Sequence, residues 1–348
     1  MPRNLPPELW QLIFRHALPA RLIRRSVWTG STWKEHAATL RAFSLVSSTW
    51  RALAQPLLFE QAFVADETIG SFAEALATSP PLADAVRVLK VFRQSTRDAL
   101  EAILRRLPQL RELHLSQVRE FDLSLLRNTP ELVKLGGWSL ELVFHCANLR
   151  FALPSLTEIS FSGTTFWPSV VDFFTPSYLP NLRAAAICYP RTSAGAETST
   201  TASHLLDAFP ASLFVLATWN PRTGLPPADT ALHTVYTLRE EALDWSETSL
   251  GTRCGSYPIR HLSLHDVPDG PETALCPVLE DDPALEQLET LYIARSPASD
   301  GATDNLAPYL EFGRQQGVEV VFVTESEFME ESMLDPVMLR RHVGEVGG

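Results

Sequence analysis

The most compact run of chemistry-bearing side chains is His261-Leu262-Ser263-Leu264-His265-Asp266. Imidazole, hydroxyl and carboxylate groups this close in sequence are the raw material of a metal site or a hydrolase triad. The interleaved leucines read as a strand, which turns His261, Ser263 and His265 to one face and sets the two histidines roughly 13 Å apart. Zinc–nitrogen bonds are about 2 Å long, so this pair cannot share an ion. No G-x-S-x-G, P-loop, H-E-x-x-H or kinase signature occurs in the chain. Cysteines 146, 188, 254 and 276 form no C-x-x-C pair, so neither a zinc site nor a dense disulfide frame is expected. The reading is a chain with no catalytic residue, no cofactor and no metal, at home in a reducing, intracellular (cytoplasmic or nuclear) compartment.

The strand that carries His261 is one copy of a pattern that fills the chain after residue 80. An apolar residue, two others, an apolar residue, one other and a third apolar residue recur. The clear copies are Val86-Leu89-Val91, Leu110-Leu113-Leu115, Leu156-Ile159-Phe161, Ile259-Leu262-Leu264, Leu288-Leu291-Ile293 and Val318-Val321-Val323. Weaker ones begin at Leu132, Leu182, Leu213 and Leu232, and successive starts lie 24, 22, 24, 26, 31, 19, 27, 29 and 30 residues apart. Pro108, Pro130, Pro154 and Pro180 each stand two residues before a copy, where proline ends a helix and favours extended chain. Between copies, Leu100–Leu107, Val170–Phe174, His204–Phe209 and Leu306–Arg314 read as short helices.

A strand–turn–helix unit of this length cannot bury both its faces alone and must stack on its neighbours. The period is that of leucine-rich repeats. A doubly wound α/β sheet also alternates strands with helices, but its units are longer and it opens on a glycine-rich loop, which this chain lacks. The fold class expected is α/β: a short all-α head, then a leucine-rich-repeat solenoid with parallel strands on the concave side and short helices on the convex side. Val118 and Thr164 occupy positions where many such repeats place Asn or Cys. The domains expected are a helical head over 1–64, about ten irregular repeats over 65–324, and an acidic tail over 325–348. Thr192–Ser203 and Pro221–Asp229 read as loops.

Residues that flank and separate the second and third apolar positions of each copy project away from the repeat core. Lys90, Phe92, His114, Trp138, Trp219, Tyr236, His261, His265, Tyr292 and Phe322 are placed there and are the candidate substrate-binding residues. Aromatic side chains on an open face bury large area at low entropic cost when a partner covers them.

The head is read from Pro6-Pro7, which suit a helix start. Leu9, Leu12, Ile13, His16 and Ala17 then recur at helical spacing and predict a core-facing stripe. Trp10 and Phe14 fall off that stripe, so they are expected to face outward and to need a second body to cover them. A solenoid cap, which must seal the open core end, would also carry surplus apolar side chains.

The wording of this head resembles the F-box. Leu5-Pro6-Pro7-Glu8-Leu9-Trp10 is similar to that family's Leu-Pro-x-Glu-Leu opener, and Val46-Ser47-Ser48-Thr49-Trp50-Arg51-Ala52-Leu53 to its Val-Ser-x-x-Trp-Arg-x-Leu signature. Residues 20–39 interrupt the two for longer than is usual in the family. The resemblance implies docking onto a Skp-type adaptor, and through it a cullin–RING ubiquitin ligase, with the repeats recruiting an unknown protein substrate. By position it assigns Leu5, Pro6, Leu9, Trp10, Ile13, Phe14, Leu45, Val46 and Trp50 to the adaptor contact.

Charge is distributed to match. Residues 1–60 carry eight Arg/Lys against three Asp/Glu, and residues 240–348 carry six against twenty-two, within a net charge of −12. A basic head attracts an acidic partner, while the acidic remainder repels nucleic acid. No 18-residue apolar run occurs, so neither a nucleic acid nor a membrane is expected as a partner.

Overall fold

The computed structural model describes residues 6–17, 30–93, 97–145, 151–188, 208, 215–218, 234–237, 261–264, 286–295 and 307–324. Among the described residues, three helices form the head: α1 (Pro7–Ala17), α2 (Gly30–Val46) and α3 (Ser48–Glu60). Helix α2 begins inside the interruption noted above, so residues 30–39 of that stretch are helical. The corner between α2 and α3 explains the Val-Ser-x-x-Trp-Arg wording physically. Ser47 is extended and its side chain accepts the Trp50 N–H at 3.1 Å, capping α3. Arg51 Nε donates to the Ser44 carbonyl at 3.2 Å, tying the start of α3 to the end of α2.

No linker separates head from sheet. Helix α3 runs directly into β1 (Gln61–Ala65), and the Arg87 N–H donates to the Glu60 carbonyl at 2.9 Å, so the sheet starts inside the 1–64 span expected for the head. Helices α4 (Asp66–Thr78) and α5 (Pro80–Ala85) then lead to β2 (Val88–Phe92), and α6 (Arg97–Leu104) to β3 (Glu112–Ser116). The chain continues through β4 (Phe121–Asp122), β5 (Lys134–Trp138), β6 (Glu141–Val143), β7 (Glu158–Ser162), β8 (Thr165–Phe166), β9 (Ala184–Cys188), β10 (Val215–Thr218), β11 (Thr234–Thr237), β12 (His261–Leu264) and β13 (Thr290–Arg295). Helix α7 (Ala307–Gln316) and β14 (Glu319–Thr324) complete the described chain.

Eleven strands form one sheet in the order β1-β2-β3-β5-β7-β9-β10-β11-β12-β13-β14, every neighbouring pair parallel. Strand order equals chain order throughout, apart from β4, β6 and β8, which form a second parallel sheet of their own. A doubly wound sheet reverses its order at a switch point; this one never does. The architecture is a leucine-rich-repeat-type solenoid, each coil passing once through the main sheet.

Register shows what the apolar pattern encodes. Ala62, Leu89, Leu113, Leu135, Ile159, Ala185, Leu216, Val235, Leu262, Leu291 and Val320 stand side by side in one row. Val64, Val91, Leu115, Gly137, Phe161 and Ile187 begin the second. These are the second and third apolar positions of the repeat; from β1 to β9, Gly137 aside, and again at Leu291, they form one continuous core with Val86, Leu110, Leu132, Leu156 and Leu182. Val118 and Thr164, the stand-ins for Asn or Cys, are buried as well.

The return segments are less helical than expected. Leu123–Asn128 and Pro168–Phe174 are 3₁₀ turns, and the small sheet β4-β6-β8 contributes Phe121, Leu142 and Phe166 to the same core. Asp122 opens the first of these turns, accepting the Ser124 N–H at 3.0 Å while Arg97 reaches it at 2.6 Å. After four successive strands the chain enters the left-handed region, at Arg93, Gln117, Ser139 and Gly163. The same turn therefore recurs coil after coil, although only one of the four is glycine.

Two expectations are corrected at the last coil and at the weak third copy. The register places Val320 and Phe322 in the core rows, paired with Leu291 and Ile293, rather than Val321 and Val323. Only one residue, Glu319, separates buried Val318 from Val320, one fewer than the repeat requires, and the alternation flips accordingly. The weak copy at Leu132 has Gly137 where an apolar side chain belongs. A Cβ there would lie 2.2 Å from Leu140 Cδ1, so Leu140 has taken the space from the next turn.

Candidate functional site

The head reverses one expectation. Phe14 is 1% exposed and sits with Leu40, Ala54 and Leu57 in a core of the head's own, with Trp10, Phe43 and Trp50 packed against it. The Phe14 ring lies 4.7 Å from Phe43 and 4.9 Å from Trp50, and the Trp10 ring 5.1 Å from Trp50. Phe14 is thus internal, contrary to the outward placement expected, and Trp10 and Trp50 are half-buried against it. Four aromatic rings bury more area and pair more favourably than an aliphatic stripe can, so they decide which face of α1 turns inward.

The aliphatic stripe is the face left outside. Leu9, Leu12 and Ile13 are 43%, 50% and 44% exposed, and Leu45 and Val46, at the end of α2, are 77% and 50% exposed. Pro6 is exposed and its carbonyl accepts the Leu9 N–H at 3.0 Å, starting α1. Leu5 lies outside the described residues. The head therefore does carry uncovered apolar surface, on the opposite side of α1 from the one expected. Leu12 was not among the assigned contacts; its signal was its place in the i, i+3, i+4 stripe.

On the main sheet the face opposite the core is built from the first, third and fifth strand positions. Lys90 and Phe92 stand there, half-buried, and Phe92 stacks on Phe63 of β1 at 6.4 Å with the Arg93 guanidinium 5.4 Å above its ring. Trp138 is 48% exposed on the same face. Sequence reasoning missed Phe63, because β1 lies before the first recognised copy.

Two of the assigned face residues are corrected. His114 does stand on the third strand position, but it is 3% exposed: its ring leans over Gly136, whose Cβ would lie 2.9 Å from His114 Nδ1, and its Nε2 is 3.6 Å from Glu112. Phe322 packs against the core, for the register reason given above. Tyr236, His261 and Tyr292 occupy face positions by strand register, Tyr236 and Tyr292 in the same row as Lys90 and His114, and His261 in the row of Glu112. Trp219 and His265 lie outside the described residues, as do both loops and the tail over 325–348.

Charges on this face balance locally. Lys134 Nζ meets Glu158 Oε2 at 2.6 Å across the β5–β7 pair, both side chains largely covered. Among the described residues no helix is long and apolar enough to cross a membrane.

No protein-family model matches the chain. No curated protein matches it either. Among solved structures, an internalin from Listeria monocytogenes is similar over 86% of this chain and 92% of its own, at 12% identity and a TM-score of 0.33. Values that low leave the repeat-type fold resting on the strand order and register described above.

Proposed function

We propose that this chain is the substrate-recognition subunit of a Skp–cullin–F-box ubiquitin ligase, non-catalytic itself. Its head docks on a Skp-type adaptor and its sheet face recruits a protein substrate, raising the substrate's effective concentration at a ubiquitin-loaded enzyme. The observation that carries this reading is the uncovered row Leu9, Leu12, Ile13, with Leu45 and Val46, on a head whose own core is already filled. Exposed apolar surface of this kind marks an interaction site. The basic balance of residues 1–60 supports an acidic partner.

The contact set follows from exposure: Pro6, Leu9, Leu12, Ile13, Leu45 and Val46 touch the adaptor, while Trp10, Phe14 and Trp50 hold the helices that present them. The test is co-purification of the full chain with a purified Skp-type adaptor. Leu12→Asp and Leu45→Asp should abolish the complex and leave circular dichroism and the melting curve unchanged. A complex that survives both substitutions would refute the docking face. The second reading, a leucine-rich-repeat binding scaffold with no ligase role, is favoured by the direct fusion of α3 to β1, as in a solenoid cap. It predicts no adaptor complex with the native chain.

A further inference from the structure

The face of the sheet between β1 and β9 carries a chemical bias. Its fifth-position row reads Ala65, Phe92, Ser116, Trp138, Ser162 and Cys188, with no charged residue. The other two rows over these strands hold four charged residues, two of each sign: Lys90 and Lys134, Glu112 and Glu158. Lys134 is committed to Glu158 at 2.6 Å. Just past the row, Arg93 lies over the Phe92 ring, and Arg97 is held by buried Asp122. Recognition of a phosphate or an acidic motif needs convergent Arg or Lys donors, and here Lys134 and Arg97 are paired and Arg93 is stacked instead. What remains uncompensated is apolar: Trp138 is 48% exposed beside Ser116, which is sheltered between it and Phe92.

We infer that this face takes an unmodified, uncharged apolar segment of a protein partner, with Trp138 as its anchor and Phe92 as its second contact. The inference rests on the substrate-recruiting reading of the sheet face. A large, half-exposed aromatic flanked by small residues is the arrangement in which one side chain dominates binding. Because the charges cancel, binding is nearly independent of salt between low and high ionic strength.

The full-length chain, immobilised, is offered two random octapeptide libraries that differ only in a fixed central phosphoserine or serine. The serine library should be retained and enrich aliphatic and proline residues. A single enriched peptide, fluorescein-labelled, should bind Trp138→Ala about tenfold more weakly than the native chain, with Phe92→Ala weaker by a smaller factor. Preferential retention of the phosphoserine library, or a steep loss of binding with salt, overturns the inference. So does retention of neither library, or an affinity unchanged by Trp138→Ala. Both variants keep the adaptor-docking residues intact, so adaptor binding measured on the same samples separates failure of this inference from failure of the ligase reading.

Discussion

At the scale of single residues, the most telling contrast is between two neighbours on α1. Phe14 is 1% exposed and Ile13 44% exposed, one step apart on the helix. Phe14→Ala removes a ring from the aromatic cluster and should cost the head about 3–5 kcal/mol, the range for large aromatic truncations in a core. Ile13→Asp should leave stability nearly unchanged while weakening the adaptor complex. Urea titration followed by tryptophan fluorescence reads the first effect, and titration with purified adaptor reads the second. Asp122 makes a second residue-scale case. Asp122→Ala strips the Ser124 N–H of its acceptor and Arg97 of its partner. An uncompensated buried donor costs about 1–3 kcal/mol, and the Arg97 side chain, half exposed, adds little to that. A urea midpoint unmoved by Asp122→Ala would contradict this role.

At the scale of elements, the repeat was legible where its copies were clean and misread where packing borrowed from elsewhere. The rows through Leu89, Leu113 and Ile159 stand where the spacing puts them, because a period of two leaves no freedom once one face is buried. Gly137 broke the pattern for a reason no local reading could supply: Leu140 fills its place from outside the strand. Restoring the pattern should therefore harm the protein. Gly137→Leu is expected to destabilise by about 1–3 kcal/mol through overpacking, and a denaturation midpoint raised by that change would contradict the packing described. The last strand offers the complementary test. Val321→Asp should be tolerated, whereas Phe322→Asp should lower the melting temperature by several degrees, because Phe322 and not Val321 shares a row with Ile293. The face of α1 was illegible for a different reason. Helical spacing finds an apolar stripe but does not say which of two stripes wins, and here the answer lay in Phe43 and Trp50, some thirty to forty residues away in the chain.

At the scale of the whole molecule, the design is one of fixed geometry. The head's last helix is also the approach to the first strand, and β1 is held in the sheet by five paired positions with β2. A partner bound to Leu9, Leu12 and Leu45 and a partner bound to Trp138 are therefore separated by packed protein rather than by a flexible tether. This suits a receptor whose task is to hold one polypeptide at a set place relative to another. Each half of the proposed site is made from surface that folding left over: an aliphatic stripe beside the aromatics that fill the head, and an uncharged row beside the Lys134–Glu158 pair on the sheet.

The measurement that bears most directly on this account is isothermal titration of the purified full-length chain with a purified Skp-type adaptor, run beside Leu12→Asp. The account predicts a one-to-one complex with the native chain and no measurable heat with the variant, at equal melting temperatures. A natively folded chain that gives no complex, or a variant that binds as well as the native chain, would contradict it.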